Sequence, residues 1–169
     1  MDEKELTRIL VKHVAWLHNE EGGVKAIIFG ADLTGADLRD TIFREASLPN
    51  AIFRDADLRG VECTDTDLKG ADFTRANLVW GHLGGANLTD AKFTDANLKY
   101  AYLGSAKLGG ADFTRADLTE ANLTGATLTG ANFTGANLAG ADFTGANLAG
   151  ADFTGANLAG AEGIQSTPH

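Results

Sequence analysis

The stretch ANLAGADFTGANLAGADFTGANLAG, residues 136–160, repeats every five residues and decides the fold of this chain. The same period extends back to Ala26, which gives 27 consecutive five-residue units without an insertion. In each unit a small residue, usually alanine, is followed two positions later by a large apolar residue, mostly leucine or phenylalanine. Asp or Asn usually stands between them, and glycine often ends the unit.

A period of five fits neither an α-helix, with its period of 3.6, nor a strand, with its period of 2. A chain that turns a corner every five residues can present this pattern, with two side chains of each unit inside and three outside. Gly, Asn and Asp tolerate the backbone conformations that such corners require. The repeat therefore predicts a solenoid.

Phenylalanine adds a second period, of 20 residues, which is independent evidence for four units per coil. Six phenylalanines follow one another at this step: Phe53, Phe73, Phe93, Phe113, Phe133 and Phe153. In successive coils they would form an aromatic ladder inside a four-sided cylinder. At about 4.8 Å between coils, 27 units predict nearly seven coils and a rod roughly 30 Å long.

The signature A-(D/N)-(L/F)-X-X, as in Ala31-Asp32-Leu33-Thr34-Gly35, resembles that of the pentapeptide repeat family over residues 26–160. The resemblance implies an all-β solenoid, a right-handed quadrilateral β-helix with four units per coil. It also implies a homodimer through the C-terminal end, because the C-terminal ends of similar proteins often pair. Some members mimic DNA and bind type II topoisomerases, which protects them against quinolones.

The two ends of the chain depart from the repeat, and we divide the chain into three parts. Residues 1–25 carry apolar side chains at helical spacing and end in Gly22-Gly23, which predicts an N-terminal capping helix and turn. Residues 26–161 form the β-helix. Residues 162–169 form a short C-terminal tail, and the sequence leaves open whether this end frays, is covered by the tail or meets a second copy.

Charge and composition limit the classes of function. The chain has 23 acidic and 14 basic residues, a net charge of −9, so direct binding to nucleic acid is not expected. The N-terminus has no secretory signal, no apolar run is long enough to span a membrane, and Cys63 is the single cysteine. We therefore predict a cytoplasmic protein that does not bind membranes.

Charge density argues against a DNA mimic, which is the main alternative function. B-DNA carries one charge per about 1.7 Å of axis, whereas a net charge of −9 is spread here over the predicted rod. Basic residues are mixed with acidic ones before residue 116, and only residues 116–169 lack Lys and Arg altogether. The rod also lacks projecting loops between units, which some gyrase-binding relatives carry.

No catalytic arrangement is visible. Ser47, Ser105 and Ser166 have no His and Asp partners at meaningful positions, and the numerous Asp residues belong to the repeat itself. The spacing of calcium-binding nonapeptide repeats is absent. We therefore predict no enzyme activity, no cofactor and no metal site.

Several polar residues align into columns at the 20-residue period. Charges alternate in one column, Asp55, Arg75, Asp95 and Arg115, and in another, Asp72, Lys92 and Asp112. Opposite charges on adjacent strands contribute about 0.2–1 kcal/mol each, so we interpret both columns as ion pairs between coils. A threonine column that includes Thr74, Thr94 and Thr114 is interpreted as hydroxyl stacking rather than an ice-binding face, because its neighbouring columns are mixed.

Four residues form the candidate partner-binding patch, Trp80, His82, Tyr100 and Tyr102. They occupy outward positions, and the two members of each pair, 80 with 100 and 82 with 102, lie one coil apart. Clustered exposed aromatics are typical of hot spots in protein–protein interfaces. Aromatic stacking that only stabilises neighbouring coils is the alternative.

The sequence thus favours a non-enzymatic repeat scaffold or interaction rod with a protein partner. An acidic DNA mimic that binds gyrase or another topoisomerase is the alternative. A third interpretation is a partly engineered structural repeat protein, because the units from residue 131 onward are nearly identical while earlier ones vary. Recent duplication gives the same pattern.

Overall fold

The chain forms a short helix followed by a four-sided β-solenoid. The computed structural model describes residues 1–164, and residues 165–169, most of the predicted tail, lie outside the described part. Helix α1 spans Glu3–Leu17. The β structure consists of isolated parallel bridges. Each bridge joins the second residue of a unit to the residue 20 positions later, from Ile27–Ser47 to Asp142–Glu162. Since 20 residues contain four units, each coil has four sides.

Backbone hydrogen bonds join each coil to the next in a repeating pattern. The N–H of Leu33, the central residue of its unit, donates to the carbonyl oxygen of Ile52 at 2.7 Å. The N–H of Ile52 donates in turn to the carbonyl oxygen of Ala31 at 2.8 Å. Each face therefore contributes one short parallel ladder, and only one bridging residue per unit belongs to it.

The corners are built by a single backbone conformation. The fifth residue of each unit, from Gly30 to Gly160, has a positive φ between 54° and 71°. Glycine, which adopts this left-handed conformation without steric cost, occupies 14 of these corners, and other residues occupy 13. The expectation that Gly, Asn and Asp serve the corners is confirmed, but larger residues also stand there.

The core consists of the small and the large apolar residue of each unit, as the repeat predicts. The phenylalanine ladder is confirmed: successive rings from Phe53 to Phe153 lie 4.8–5.0 Å apart and within 3–6° of parallel. Phe43 and Phe143 meet this ladder edge-on, with interplanar angles of 72° to Phe53 and 89° to Phe133.

One pair of core residues departs from the alanine rule in a compensating way. Val61 is the largest residue in the small column, and Gly81 stands one coil later at the same position. A Cβ on Gly81 would lie 3.4 Å from Cγ1 of Val61 and 3.2 Å from Cδ1 of Leu83. The Val61 side chain therefore occupies part of the space that the methyl group of an alanine at residue 81 would need.

Helix α1 lies against the first coils. Asp2 caps its N-terminus by accepting a hydrogen bond from the N–H of Glu5 at 2.8 Å, and Leu6 joins the core. His13 is fully buried and connects the helix to the solenoid. After the helix, the Gly23 backbone passes so close to that of Trp16 that a side chain at residue 23 has no room.

The last described coil leaves its core partly open. Leu148 and Phe153 are only half-buried, and Leu158 is 37% exposed, whereas the leucines and phenylalanines of the middle coils are fully buried. Within residues 1–164, the N–H groups of Leu148, Phe153 and Leu158 donate no backbone hydrogen bond.

Candidate interaction surface

The Trp80 and Tyr100 side chains stack on each other at one corner of the rod. Their ring centroids lie 4.4 Å apart with an interplanar angle of 11°. Because this separation is close to the spacing between coils, the two rings stack along the rod axis. Trp80 is 60% exposed and Tyr100 is 44% exposed. The structure thus brings these two residues of the predicted patch into direct contact.

Both aromatic residues adopt a backbone conformation that disfavours them. Trp80 has φ 60° and Tyr100 has φ 59°. The left-handed conformation costs about 1–2 kcal/mol for a residue with a Cβ, and bulky residues are genuine outliers there. Glycine stands at the same corner one coil before Trp80, at Gly60, and two coils after Tyr100, at Gly140, so the fold has no need of an aromatic residue at this position.

The other two patch residues lie on the adjoining face. His82 and Tyr102 are both exposed and form a parallel bridge through their backbones. The Tyr102 ring lies over Gly84 and Gly104, where a Cβ on either glycine would collide with it. Tyr102 therefore lies flat against the rod and extends away from the Trp80–Tyr100 corner.

One of the two charge columns forms as predicted. Nε of Arg75 donates to Oδ1 of Asp55 at 2.7 Å, and Arg115 contacts Asp95 in the same way. Hydrogen bonds from these arginines lower the pKa of both carboxyl groups below its usual value. All four residues stand at left-handed corners, so the ion pairs join one coil to the next at its edge.

The prediction of ion pairs along the second charge column is wrong, because Lys92 forms no ion pair within residues 1–164. Asp72 instead accepts hydrogen bonds from Arg54, with Nε at 2.7 Å, and from Thr74 at 2.6 Å. Desolvation opposes these hydrogen bonds, but their sum lowers the Asp72 pKa. Arg54 takes the place of a threonine between Thr34 and Thr74 in the threonine column. It therefore lies in the coil before Asp72.

The threonine hydroxyls do not stack on one another. They mostly donate to the Asp or Asn two residues earlier, as Thr34 does to Asp32 at 2.7 Å and Thr134 does to Asn132 at 2.6 Å. The Thr94 hydroxyl donates to Asp112 of the next coil at 3.0 Å. These internal bonds explain the column as part of the turn, which corrects the expectation of hydroxyl stacking.

His13 has a role that the sequence did not reveal. The N–H of Ala26 donates to its Nδ1 at 3.1 Å, and its Nε2 lies 2.8 Å from the carbonyl oxygen of Arg44. A backbone N–H can only donate and a carbonyl can only accept, so His13 is the neutral tautomer with the proton on Nε2. Burial lowers its pKa below 6.5. Helical spacing indicated a buried face, but nothing local marked its two backbone partners.

Other surface features give little support for chemistry. A depression of about 580 Å³ is an open groove between helix α1 and the first coils, lined in part by Val11, Val14 and Ile42. Burial raises the pKa of the Cys63 thiol to about 12. No cluster of His, Cys, Asp and Glu in residues 1–164 is arranged to hold a metal ion. None of the described helices has the length and apolar character needed to cross a membrane.

Comparison with known proteins identifies the family. The pentapeptide repeats family profile matches eight copies over residues 43–75, 51–90, 71–108, 96–135 and 136–162. These matches cover more than half of the chain, which therefore belongs to the pentapeptide repeat family. No match was found among curated proteins.

Solved structures show the same fold. One is HetL from the cyanobacterium Nostoc sp. strain PCC 7120, described as involved in regulating heterocyst differentiation. It is 24% identical with a TM-score of 0.51, and each chain is covered completely. Another is trypsin-treated QnrB1, a plasmid-mediated fluoroquinolone resistance protein, at 18% identity and a TM-score of 0.61. That alignment covers 81% of this chain and 72% of QnrB1.

Proposed function

We propose that this protein is a non-enzymatic interaction rod that binds a protein partner through the patch formed by Trp80, His82, Tyr100 and Tyr102. The observation that carries the proposal is the Trp80–Tyr100 stack, two exposed aromatic residues in a conformation that glycine fills elsewhere. Outliers of this kind cluster at functional sites. Glycine serves every corner from Gly125 to Gly160, so the fold itself does not require an aromatic residue at a corner.

The proposal is tested by comparing partners captured by matched variants. Trp80→Gly combined with Tyr100→Gly removes the stack and leaves a corner residue that the backbone favours. Ser105→Gly is the control, because Ser105 has the same left-handed conformation, with φ 58°, and is exposed nearby. We expect a defined set of cross-linked proteins to be lost with the double variant and retained with the control. Identical sets for all three proteins would contradict the proposal.

We also propose the finer architecture that the family resemblance implies. Residues 26–161 make nearly seven right-handed coils, helix α1 within residues 1–25 caps the first coil, and residues 162–169 are the tail, of which the described part ends at Ile164. The burial of Leu6 and His13 supports the capping role. We further propose a cytoplasmic location, which is compatible with the single cysteine, Cys63.

Homodimerisation through the C-terminal end is supported by the open last coil. Leu148, Phe153 and Leu158 are incompletely covered there. The N–H groups of the same residues donate no backbone hydrogen bond within residues 1–164. Exposed strand edges pair readily with another chain.

Topoisomerase binding is the second candidate function, favoured by one charge feature. Residues 116–164 carry five acidic residues and no Lys or Arg, so the C-terminal coils present only negative charge. QnrB1 is a fluoroquinolone resistance protein, and its likeness here is one of fold. A gyrase supercoiling assay separates the two candidates, because a DNA mimic should inhibit or protect gyrase at stoichiometric concentrations, whereas an unrelated interaction rod should have no effect.

A further inference from the structure

The Trp80 side chain is 60% exposed although Tyr100 stacks on it. Tyr100 covers one face of this ring, and the residue one coil before Trp80 is Gly60, which has no side chain. Ladder partners in this rod are spaced at 4.8–5.0 Å in the phenylalanine column. The missing side chain at residue 60 therefore leaves a gap in which a flat group can stack on Trp80.

A carboxylate lies at the base of this gap. The Asp40 side chain leans over Gly60, so that a Cβ on residue 60 would collide with its Oδ1 atom. Among residues 1–164, Asp40 takes part in none of the ion pairs. On the other side of the stack, Glu120 leans away from Tyr100 over Gly140. A carboxylate and an open aromatic face thus meet only on the Trp80 side.

The protein's own cations do not fill the gap. Arg59, next to Gly60, donates to both carboxylate oxygens of Asp57 at 2.8 and 2.6 Å, and Lys99 pairs with Asp117 at 3.2 Å. Within the described residues, the single cation–π contact is that of Lys25 over Trp16, with Nζ 5.3 Å from the ring centroid. Trp80 therefore presents an unoccupied cation–π face.

We infer that the gap bounded by Trp80, Gly60 and Asp40 binds an arginine side chain of a protein partner. The guanidinium group would stack on the open face of Trp80 and donate hydrogen bonds to the Asp40 carboxylate. This inference names the partner chemistry of the proposed interaction patch and rests on that proposal. The net charge of −9 adds a general attraction for a basic partner.

Arginine fits this gap better than lysine for a geometric reason. The guanidinium is planar, stacks on aromatic faces and can offer two parallel N–H donors to a carboxylate. The lysine ammonium is compact and strongly hydrated, so it gains less from a gap one ladder step high. A neutral planar group could stack on Trp80 but would lack the positive charge that pairs with the Asp40 carboxylate.

The test uses Trp80 fluorescence in a Trp16→Phe background, where Trp80 is the remaining one of the chain's two tryptophans. The full chain is titrated with tetra-arginine, tetralysine and tetracitrulline peptides of equal length. We expect a saturable change with the arginine peptide, binding about 3–5-fold weaker with lysine, and no binding with citrulline, which is planar but uncharged. Equal binding of the arginine and lysine peptides, or binding of citrulline, would overturn the inference.

Two variant pairs distinguish the gap from general electrostatics. Asp40→Asn should weaken arginine binding about threefold, whereas Asp90→Asn should not. Asp90 is the matched control because it leans over Gly110 as Asp40 leans over Gly60. Gly60→Asn should block the gap, while Gly140→Asn, at a corner with φ 68° against 66° for Gly60 and beside another carboxylate, should leave binding unchanged. Equal effects within either pair would also contradict the inference.

The two proposals can fail separately. If partner capture depends on Trp80 and Tyr100 but no arginine peptide binds, the interaction rod stands and the arginine assignment is wrong. If the arginine peptide binds with the expected variant effects but capture does not depend on the patch, the gap is an arginine site and the proposed function is wrong.

Discussion

At the scale of single residues, the corners determine what each unit can tolerate. Glycine fits the left-handed conformation, and Asn and Asp tolerate it better than other residues with a side chain. Arg75 and Arg115 also stand at such corners, but each is held by an ion pair to the preceding coil. Trp80 and Tyr100 stack on each other and are 60% and 44% exposed. The backbone cost at these two corners is therefore offset by an aromatic stack rather than by an ion pair.

At residue 80, replacement by glycine should give a more stable protein than replacement by alanine, which is the reverse of their order of propensity in helices and strands. Trp80→Ala loses the stack and keeps the backbone strain, whereas Trp80→Gly loses the stack and relieves the strain. We expect the glycine variant to be more stable than the alanine variant by about 1 kcal/mol, measured as the free energy of unfolding in urea. Gly125→Ala, which introduces a Cβ at φ 65°, should be destabilising. An alanine variant at least as stable as the glycine variant would refute the strain argument.

Val61 and Gly81 should be energetically coupled. Val61→Ala removes two buried carbon atoms and should cost roughly 1.5 kcal/mol. Gly81→Ala crowds Val61 and Leu83 in the native protein, but should be better tolerated once Val61 is alanine. A double-mutant cycle of unfolding free energies should therefore show a coupling of at least about 0.5 kcal/mol. Simple additivity would show that the two residues do not share space.

At the scale of elements, helix α1 is attached to the solenoid through a neutral histidine. Protonation of Nδ1 would place two N–H groups, those of His13 and Ala26, against each other. Lys25 opposes protonation and Glu45 favours it, while burial is the main cause of the lowered His13 pKa. The contact between the helix and the first coils is thus sensitive to acid, although the solenoid itself depends on backbone bonds and apolar packing.

The attachment of helix α1 should weaken as the pH falls. Because the His13 pKa is lowered in the folded state, its stabilising effect is complete above its unfolded value of 6.5 and is lost as the pH falls through the lower, folded value. The slope should reach at most about 1.4 kcal/mol per pH unit. Trp16 fluorescence and helical circular dichroism between neutral pH and pH 4.5 measure the effect.

Two variants control the pH experiment. His13→Leu should be less stable at neutral pH, since it leaves two backbone groups without partners, and should lack the acid transition. His18→Gln should behave like the native protein, because the His18 side chain is 66% exposed. An acid transition that survives in His13→Leu would assign it to another group.

At the scale of the whole molecule, the two ends of the rod differ. Helix α1 lies over the N-terminal coils, while the last described coil has a half-open core and N–H groups that donate no backbone hydrogen bond within residues 1–164. The C-terminal coils are also purely acidic, with Asp152 and Glu162 exposed near the open end. Apolar contact and open backbone edges favour pairing of two such ends, and like charge opposes it.

A dimer through this end should respond to salt and to a charge in the open core. We expect sedimentation to detect a dimer that strengthens as salt screens the acidic side chains, and that Leu158→Lys shifts toward monomer. Val11→Lys is the matched control, because Val11 is an exposed apolar residue, 65% exposed, at the other end of the chain. A monomer at high protein and salt concentrations would exclude the dimer.

The amino-acid sequence by itself determined the family, the four-unit coil, the inward columns and the phenylalanine ladder. It could do so because each property follows from a strict period, and every unit repeats the same local choice between buried and exposed positions. The periods of five and 20 also predicted the Arg75–Asp55 and Arg115–Asp95 pairs, whose partners stand at identical corner positions.

Only the tertiary structure decided which side chains meet where the period gives several choices. Asp72 pairs with Arg54 rather than Lys92, because the arginine side chain reaches diagonally from one coil to the next. Tyr102 lies over Gly84 and Gly104 because those two residues lack side chains. His13 finds its partners in Ala26 and Arg44, far along the chain. A repeat fixes the height of each residue in the rod, but the direction of a long side chain depends on the space its neighbours leave.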